Sequence, residues 1–168
     1  MRLKVKEKLI AMLDLLPDNI GIAIFEGYRP PEVQEKYFND KVKELKKSGL
    51  SAYEATNEAS KWVSPPEIRP VHCTGAAVDM TLFEIKKDGS KQLVDMGKFG
   101  VIFGENPHPQ TLSENVSNEQ KNNRKMLLRA GVASGMVNYG FEWWHFSYGD
   151  RAWASIRQAD HALYDLVK

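Results

Sequence analysis

Residues 76 to 85 alternate in character. Ala76, Val78, Met80 and Leu82 fall on one side of an extended chain, and Ala77, Asp79 and Thr81 on the other. Lys87-Asp88-Gly89-Ser90 is a turn signal, and Gln92 to Met96 can return beside the first strand. An antiparallel hairpin with one apolar face is expected there. A lone hairpin is marginal in water, so the rest of the chain must supply further strands or helices to cover that face.

The flanking sequence supplies both. Leu9, Met12, Leu13 and Leu16 recur at helical spacing until Pro17-Asp18-Asn19 ends the helix. Ile20, Ile22 and Ile24 alternate as a strand, followed by Gly27 and the Arg29-Pro30-Pro31 break. Residues 31 to 47 read as a charged helix stopped by Ser48-Gly49. Ser51 and Glu54 have capping-box spacing and open a helix running to Trp62. Ser64-Pro65-Pro66 and Pro70 enforce an extended loop. The stretch from Gly97 to Asn115 has few periodic cues, with loop formers at Asn106-Pro107-His108-Pro109. Residues 117 to 136 suit a helix, Phe141 to Tyr148 a strand, and Trp153 to Val167 a closing helix. No βαβ rhythm runs through this order. The fold class it predicts is α+β, a small antiparallel sheet with flanking helices, in one domain spanning 1–168.

Composition narrows the partners. The 168 residues carry 23 Lys+Arg against 22 Asp+Glu, a formal net charge of +1, which gives no electrostatic case for nucleic acid or an anionic membrane. The longest apolar run, Ile20 to Phe25, is far short of a membrane span. A single cysteine, Cys73, excludes an internal disulfide and suits a reducing compartment. The first residues resemble a signal peptide only weakly: Glu7 interrupts the basic run, and no small-residue cleavage site follows Asp14. The expected location is the cytoplasm. Oligomeric state has no signal in the sequence.

Two segments carry chemistry. Val71-His72-Cys73-Thr74-Gly75-Ala76-Ala77-Val78-Asp79 offers an imidazole and a carboxylate. Phe141-Glu142-Trp143-Trp144-His145 offers another of each among bulky aromatics. A catalytic zinc site takes three protein ligands and leaves one position open for water, a need that His72, Asp79 and His145 meet. Glu142 is then free to act as general base. Parity matters here. In an unbroken strand 72 and 79 face opposite ways, so Gly75 has to turn the chain between them. Glu142 and His145 would also point apart, so one must lie at a strand entry or bulge, which Gly140 favours. The blander alternative pairs Asp79 with a lysine and buries His145 at the core edge under two tryptophans.

At these residues the chain resembles the zinc D-alanyl-D-alanine dipeptidases of the vancomycin-resistance type, relatives of D,D-carboxypeptidases that share the fold of the hedgehog signalling domain. The family pattern His-x-x-Gly-x-Ala-x-Asp matches His72, Gly75, Ala77 and Asp79. Glu-Trp-Trp-His matches Glu142 to His145, Tyr-Arg-Pro matches Tyr28-Arg29-Pro30, and Met96-Gly97 resembles a Met-Gly after the hairpin. The resemblance implies a hedgehog/D,D-peptidase-like fold and one Zn2+ per chain on His72, Asp79 and His145. It implies that Glu142 takes a proton from water and later gives one to the leaving amine, and that Arg29 stabilises the developing oxyanion. Trp143, Trp144 and Tyr28 would border a small pocket for a D,D-dipeptide, whose hydrolysis would recover D-alanine or drain a cell-wall precursor. Several positions depart from the pattern. The family's longer N-terminal portion and its stretch between Gly-Phe and Glu-Trp-Trp-His are absent. Pro70 replaces a serine that holds the substrate amine, and Gly100, after Phe99, stands where an aspartate is expected. Two other readings remain open: a D,D-carboxypeptidase on peptidoglycan stem peptides, and a zinc-binding homologue without turnover.

Overall fold

The computed structural model describes residues 1–98 and 108–167. The Phe99-Gly100 departure and the Asn106-Pro107 loop formers lie outside them.

Helix α1, Leu3–Leu13, turns Val5, Leu9 and Met12 inward at the spacing that one helix face requires. Strand β1, Ile20–Glu26, pairs antiparallel with the long β2, Ala77–Ile85. Between them lie α2, Pro31–Lys47, with proline at its first turn, and α3, Ala52–Ala59. The capping box at α3 is present as expected: Glu54 N–H donates to Ser51 Oγ, and Ser51 N–H donates to the Glu54 carboxylate at 2.9 Å. Strand β3, Lys91–Leu93, is the return of the hairpin. Helix α4, Asn118–Ala133, opens with a second capping box at Ser117 and Gln120. Strands β4, Val137–Asn138, and β5, His145–Ser147, precede α5, Arg151–Arg157.

The sheet order is β1-β2-β5-β4, with β3 paired to the far end of β2, and every pairing is antiparallel. One face of β2 and β5 presents Val78, Met80, Leu82 and Phe146. These pack with Leu9 and Met12 of α1 and Leu127 and Ala130 of α4 into the main core. α4 approaches so closely that the Phe146 ring occupies the space a side chain at Gly131 would need. The opposite face carries Asp79 and His145.

Several sequence expectations change: the helix expected to run to Trp62 ends at Ala59, and the return strand expected over Gln92 to Met96 is Lys91–Leu93. The aromatic stretch 141–148 is a strand only over His145–Ser147, because residues 139–144 form a turn. The helix expected to 136 ends at Ala133, freeing Val137 and Asn138 to form β4. The closing helix stops at Arg157. Gln158 takes a left-handed conformation, and the tail folds back: Leu163 and Tyr164 N–H donate to the Gly149 carbonyl, and Val167 N–H to that of Cys73. Those long-range acceptors replace the i−4 carbonyls a helix would use. Among the described residues, no helix is long and apolar enough to cross a membrane.

Candidate metal centre

The site is built where three strands come into register. Opposite Asp79 stand Glu26 on β1 and His145 on β5. A register shift between Ile24 and Glu26 brings Glu26 to that position. His72 arrives from a 3-10 turn, Val71–Thr74, that ends at Gly75 with φ 70°. This left-handed residue is what turns the chain into β2, and glycine adopts it without steric cost. Arg2 braces the turn from outside: its N–H donates to the Gly75 carbonyl at 2.7 Å, and its guanidinium to Thr74 O at 2.7 Å.

Three donor atoms converge. His72 Nε2 stands 3.2 Å from His145 Nδ1 and 3.3 Å from Asp79 Oδ1, and His145 Nδ1 stands 2.9 Å from the same oxygen. All three residues are buried. Ligands about 2.0–2.1 Å from a tetrahedral ion stand about 3.3 Å apart, so this triangle fits zinc nearly without rearrangement. The outer nitrogen of His72 supports the fit. Its Nδ1–H donates to the Gly27 carbonyl at 2.8 Å, which can only accept, so the Nε2 lone pair points into the triangle. Among the described residues this is the one such grouping of His, Cys, Asp and Glu. Cys73 is buried, its thiol pKa pushed up by that burial, and it takes no part.

Charge follows from the geometry. Burial would raise the Asp79 pKa, but the hydrogen bond from His145 and the neighbouring imidazoles outweigh it and hold the carboxyl well below the usual range. Burial opposes charge on His145, and Asp79 reverses the balance and raises its pKa. Glu142 is the opposite case, with its pKa raised by burial.

The turn before β5 resolves the parity of Glu142 and His145. Glu142 N–H donates to Tyr139 O at 2.8 Å, and His145 N–H to Glu142 O at 3.2 Å. Glu142 therefore sits at the strand entry, with Oε2 3.9 Å from His145 Nδ1. Asn138, which the sequence does not single out, holds the turn by donating Nδ2–H to the carbonyls of both Glu142 and His145.

Arg29 lies on the wall of a cleft of about 1230 Å3 that contains the triangle and Glu142. Its guanidinium is gripped by Glu26 (Nε to Oε1, 2.6 Å, and a second contact through Nη2) and by Gln34 Oε1 at 2.6 Å. Burial would lower its pKa, but Glu26 raises it. Gln34 passes the constraint on to the Ser64 carbonyl at 2.7 Å. Glu26 and Gln34 are also absent from the sequence expectation. The one signal available was an acidic residue ending an apolar strand three positions before the arginine. Both tryptophans pack in the core; Trp144 also lines the cleft, and Trp143 donates its indole N–H to Lys98 O at 3.2 Å. Tyr28 is partly exposed and does not line the cleft.

The model of the D-Ala-D-Ala dipeptidase family matches residues 8–163. A D-alanyl-D-alanine dipeptidase from Synechocystis is 32% identical over 83% of this chain and 65% of its own length. One from Enterococcus faecalis is 24% identical over 77% of this chain and 63% of its own. The chain thus spans a little under two thirds of the length of these relatives. A vancomycin-resistance D,D-pentapeptidase, VanY, solved as a variant with Zn(II), shares the fold with TM-score 0.55 at 19% identity, over 97% of this chain and 81% of that one. With the family model covering nearly its whole length, the chain belongs to the D-Ala-D-Ala dipeptidase family.

Proposed function

We propose that this protein is a zinc-dependent peptidase that hydrolyses D-Ala-D-Ala to two molecules of D-alanine. The observation that carries the reading is the buried triangle of His72, Asp79 and His145 with the Glu142 carboxylate at its edge. Membership of the family and the activity named for its curated relatives support the substrate. Bound zinc would polarise the scissile carbonyl and acidify a water molecule. His72 Nε2, Asp79 Oδ1 and His145 Nδ1 would hold the ion.

The remaining steps belong to the chain. Glu142, made more basic than an ordinary carboxylate by burial, takes a proton from the attacking water and returns one to the leaving amine. Arg29, immobilised by Glu26 and Gln34, offers a guanidinium where negative charge grows on the carbonyl oxygen. A donor already fixed by its neighbours needs no reorganisation at the moment of reaction. Trp144 contributes an apolar wall. A cytoplasmic location goes with this reading, which a lone free cysteine suits.

One observation favours the stem-peptide alternative: the cleft exceeds the roughly 300–1,000 Å3 that houses drug-sized ligands, and is larger than a dipeptide needs. D-alanine release from free D-Ala-D-Ala and from a capped tripeptide ending in D-Ala-D-Ala distinguishes them. The expected result is chelator-sensitive release from the free dipeptide, falling at least about 100-fold in Glu142→Gln. Faster cleavage of the capped peptide would move the assignment to a carboxypeptidase. Release from neither would contradict a peptidase altogether.

A further inference from the structure

A peptide cut at its last bond carries a free α-carboxylate one residue beyond the reacting carbonyl, about 3.5 Å further along the chain. A carboxylate leaving water for a cleft needs a cation or several donors. Among the described residues, four lysine and arginine side chains line this cleft: Arg29, Lys41, Lys61 and Arg151. Three already face carboxylates. Arg29 clasps Glu26, Lys41 stands 2.7 Å from Glu44, and Lys61 stands 2.6 Å from Glu58. Arg151 makes no ion pair and no side-chain hydrogen bond among the described residues.

The sheet sets where Arg151 lies. Asp79 and His145 are a cross-strand pair, and the next pair on the same face is Ala77 and Ser147. That step of two residues is about 7 Å. Ser147 lines the cleft, and its hydroxyl has no partner among the described residues. Three residues later Asp150, fully buried, accepts the Trp153 N–H at 2.7 Å and so fixes the start of α5, whose first residue is Arg151. Beyond the metal triangle the cleft wall thus continues through a hydroxyl to an unengaged guanidinium.

We propose that Arg151, assisted by the Ser147 hydroxyl, receives the α-carboxylate of the substrate's C-terminal residue and makes the site selective for peptides with a free C-terminus. This rests on the peptidase reading above. The side chains divide the work: Arg29 is committed to its clasp and meets the reacting carbonyl, while Arg151 reads the chain end.

The test uses zinc-loaded Glu142→Gln, which holds substrate without cutting it, and calorimetric binding of D-Ala-D-Ala and of its C-terminal amide. The acid is expected to bind at least tenfold tighter than the amide. Adding Arg151→Met is expected to weaken the acid about ten- to hundredfold and leave the amide unchanged, which also reports an intact fold. Arg151→Lys should recover part of the loss, since it keeps the charge without the bidentate fork. An acid-over-amide preference that survives Arg151→Met overturns the assignment of Arg151. Absence of binding by either ligand before Arg151 is changed contradicts the peptidase reading itself, and this proposal with it.

Discussion

Gly131→Ala separates tertiary packing from helix propensity, because the two predict opposite signs. Gly131 lies within α4, where alanine is ordinarily favoured by about 1 kcal/mol. Here, however, an added Cβ would stand 2.7 Å from Phe146 Cδ1 and closer still to Cε1, against an ordinary carbon contact of about 3.5–4.0 Å. Phe146 is fully buried, so its ring cannot swing into solvent. Overpacking of this kind costs about 1–3 kcal/mol, and the overlap exceeds half an ångström even at the second-nearest atom, which places it in the upper part of that range. The net expectation is destabilisation by about 1–2 kcal/mol, or a Tm lowered by about 2–8 °C for a chain of this size. Because Phe146 neighbours His145 on β5, the displacement is also expected to weaken metal affinity. Urea denaturation with and without zinc measures both. A variant more stable than the parent would refute the packing argument, since propensity alone would then have decided the outcome.

Other consequences follow from buried charge. The buried Arg124 guanidinium donates to the carbonyls of Met96, His108 and Gln110, and Arg124→Met should cost about 2 kcal/mol by urea denaturation because one buried and two half-buried acceptors lose their donor. An unchanged midpoint would show that those carbonyls find other partners. In the metal-free protein Asp79 has a folded pKa below its unfolded one. Its contribution is therefore full above about pH 4 and is lost as pH falls further. Asp79→Asn should flatten that acid limb in denaturation midpoints measured between pH 6 and pH 3, and an equally steep limb in the variant would count against it.

Much of this site is legible in the sequence because its candidate ligands sit on short, regular pieces. The alternation of β2 fixes Asp79 on the face opposite Val78 and Met80, and Gly75 marks where the chain must turn to bring His72 to that face. Glu142 and His145 are readable as chemistry, but their convergence depends on a turn held by Asn138, whose partners lie four and seven residues away. The Glu26–Arg29–Gln34 clasp depends on a register shift in β1 and on the placement of α2, neither of which leaves a periodic trace. The same holds for the C-terminal tail. Its residues have helical character, yet the carbonyls of Gly149 and Cys73 draw the chain back over the His72 turn. Trp143 and Trp144 are neighbours in sequence with their rings at 89°; both pack in the core, and only packing decides that Trp144 also borders the cleft.

The three buried side chains are assigned to one metal centre, with Glu142 beside it and not among the ligands. Zinc stoichiometry and affinity, measured by competition with a chromogenic chelator, test that assignment. One ion per chain is expected, lost or weakened by at least about tenfold in His72→Ala and His145→Ala and retained in Glu142→Gln. Undiminished zinc binding in His72→Ala, or loss of the ion in a folded Glu142→Gln, would contradict the assignment.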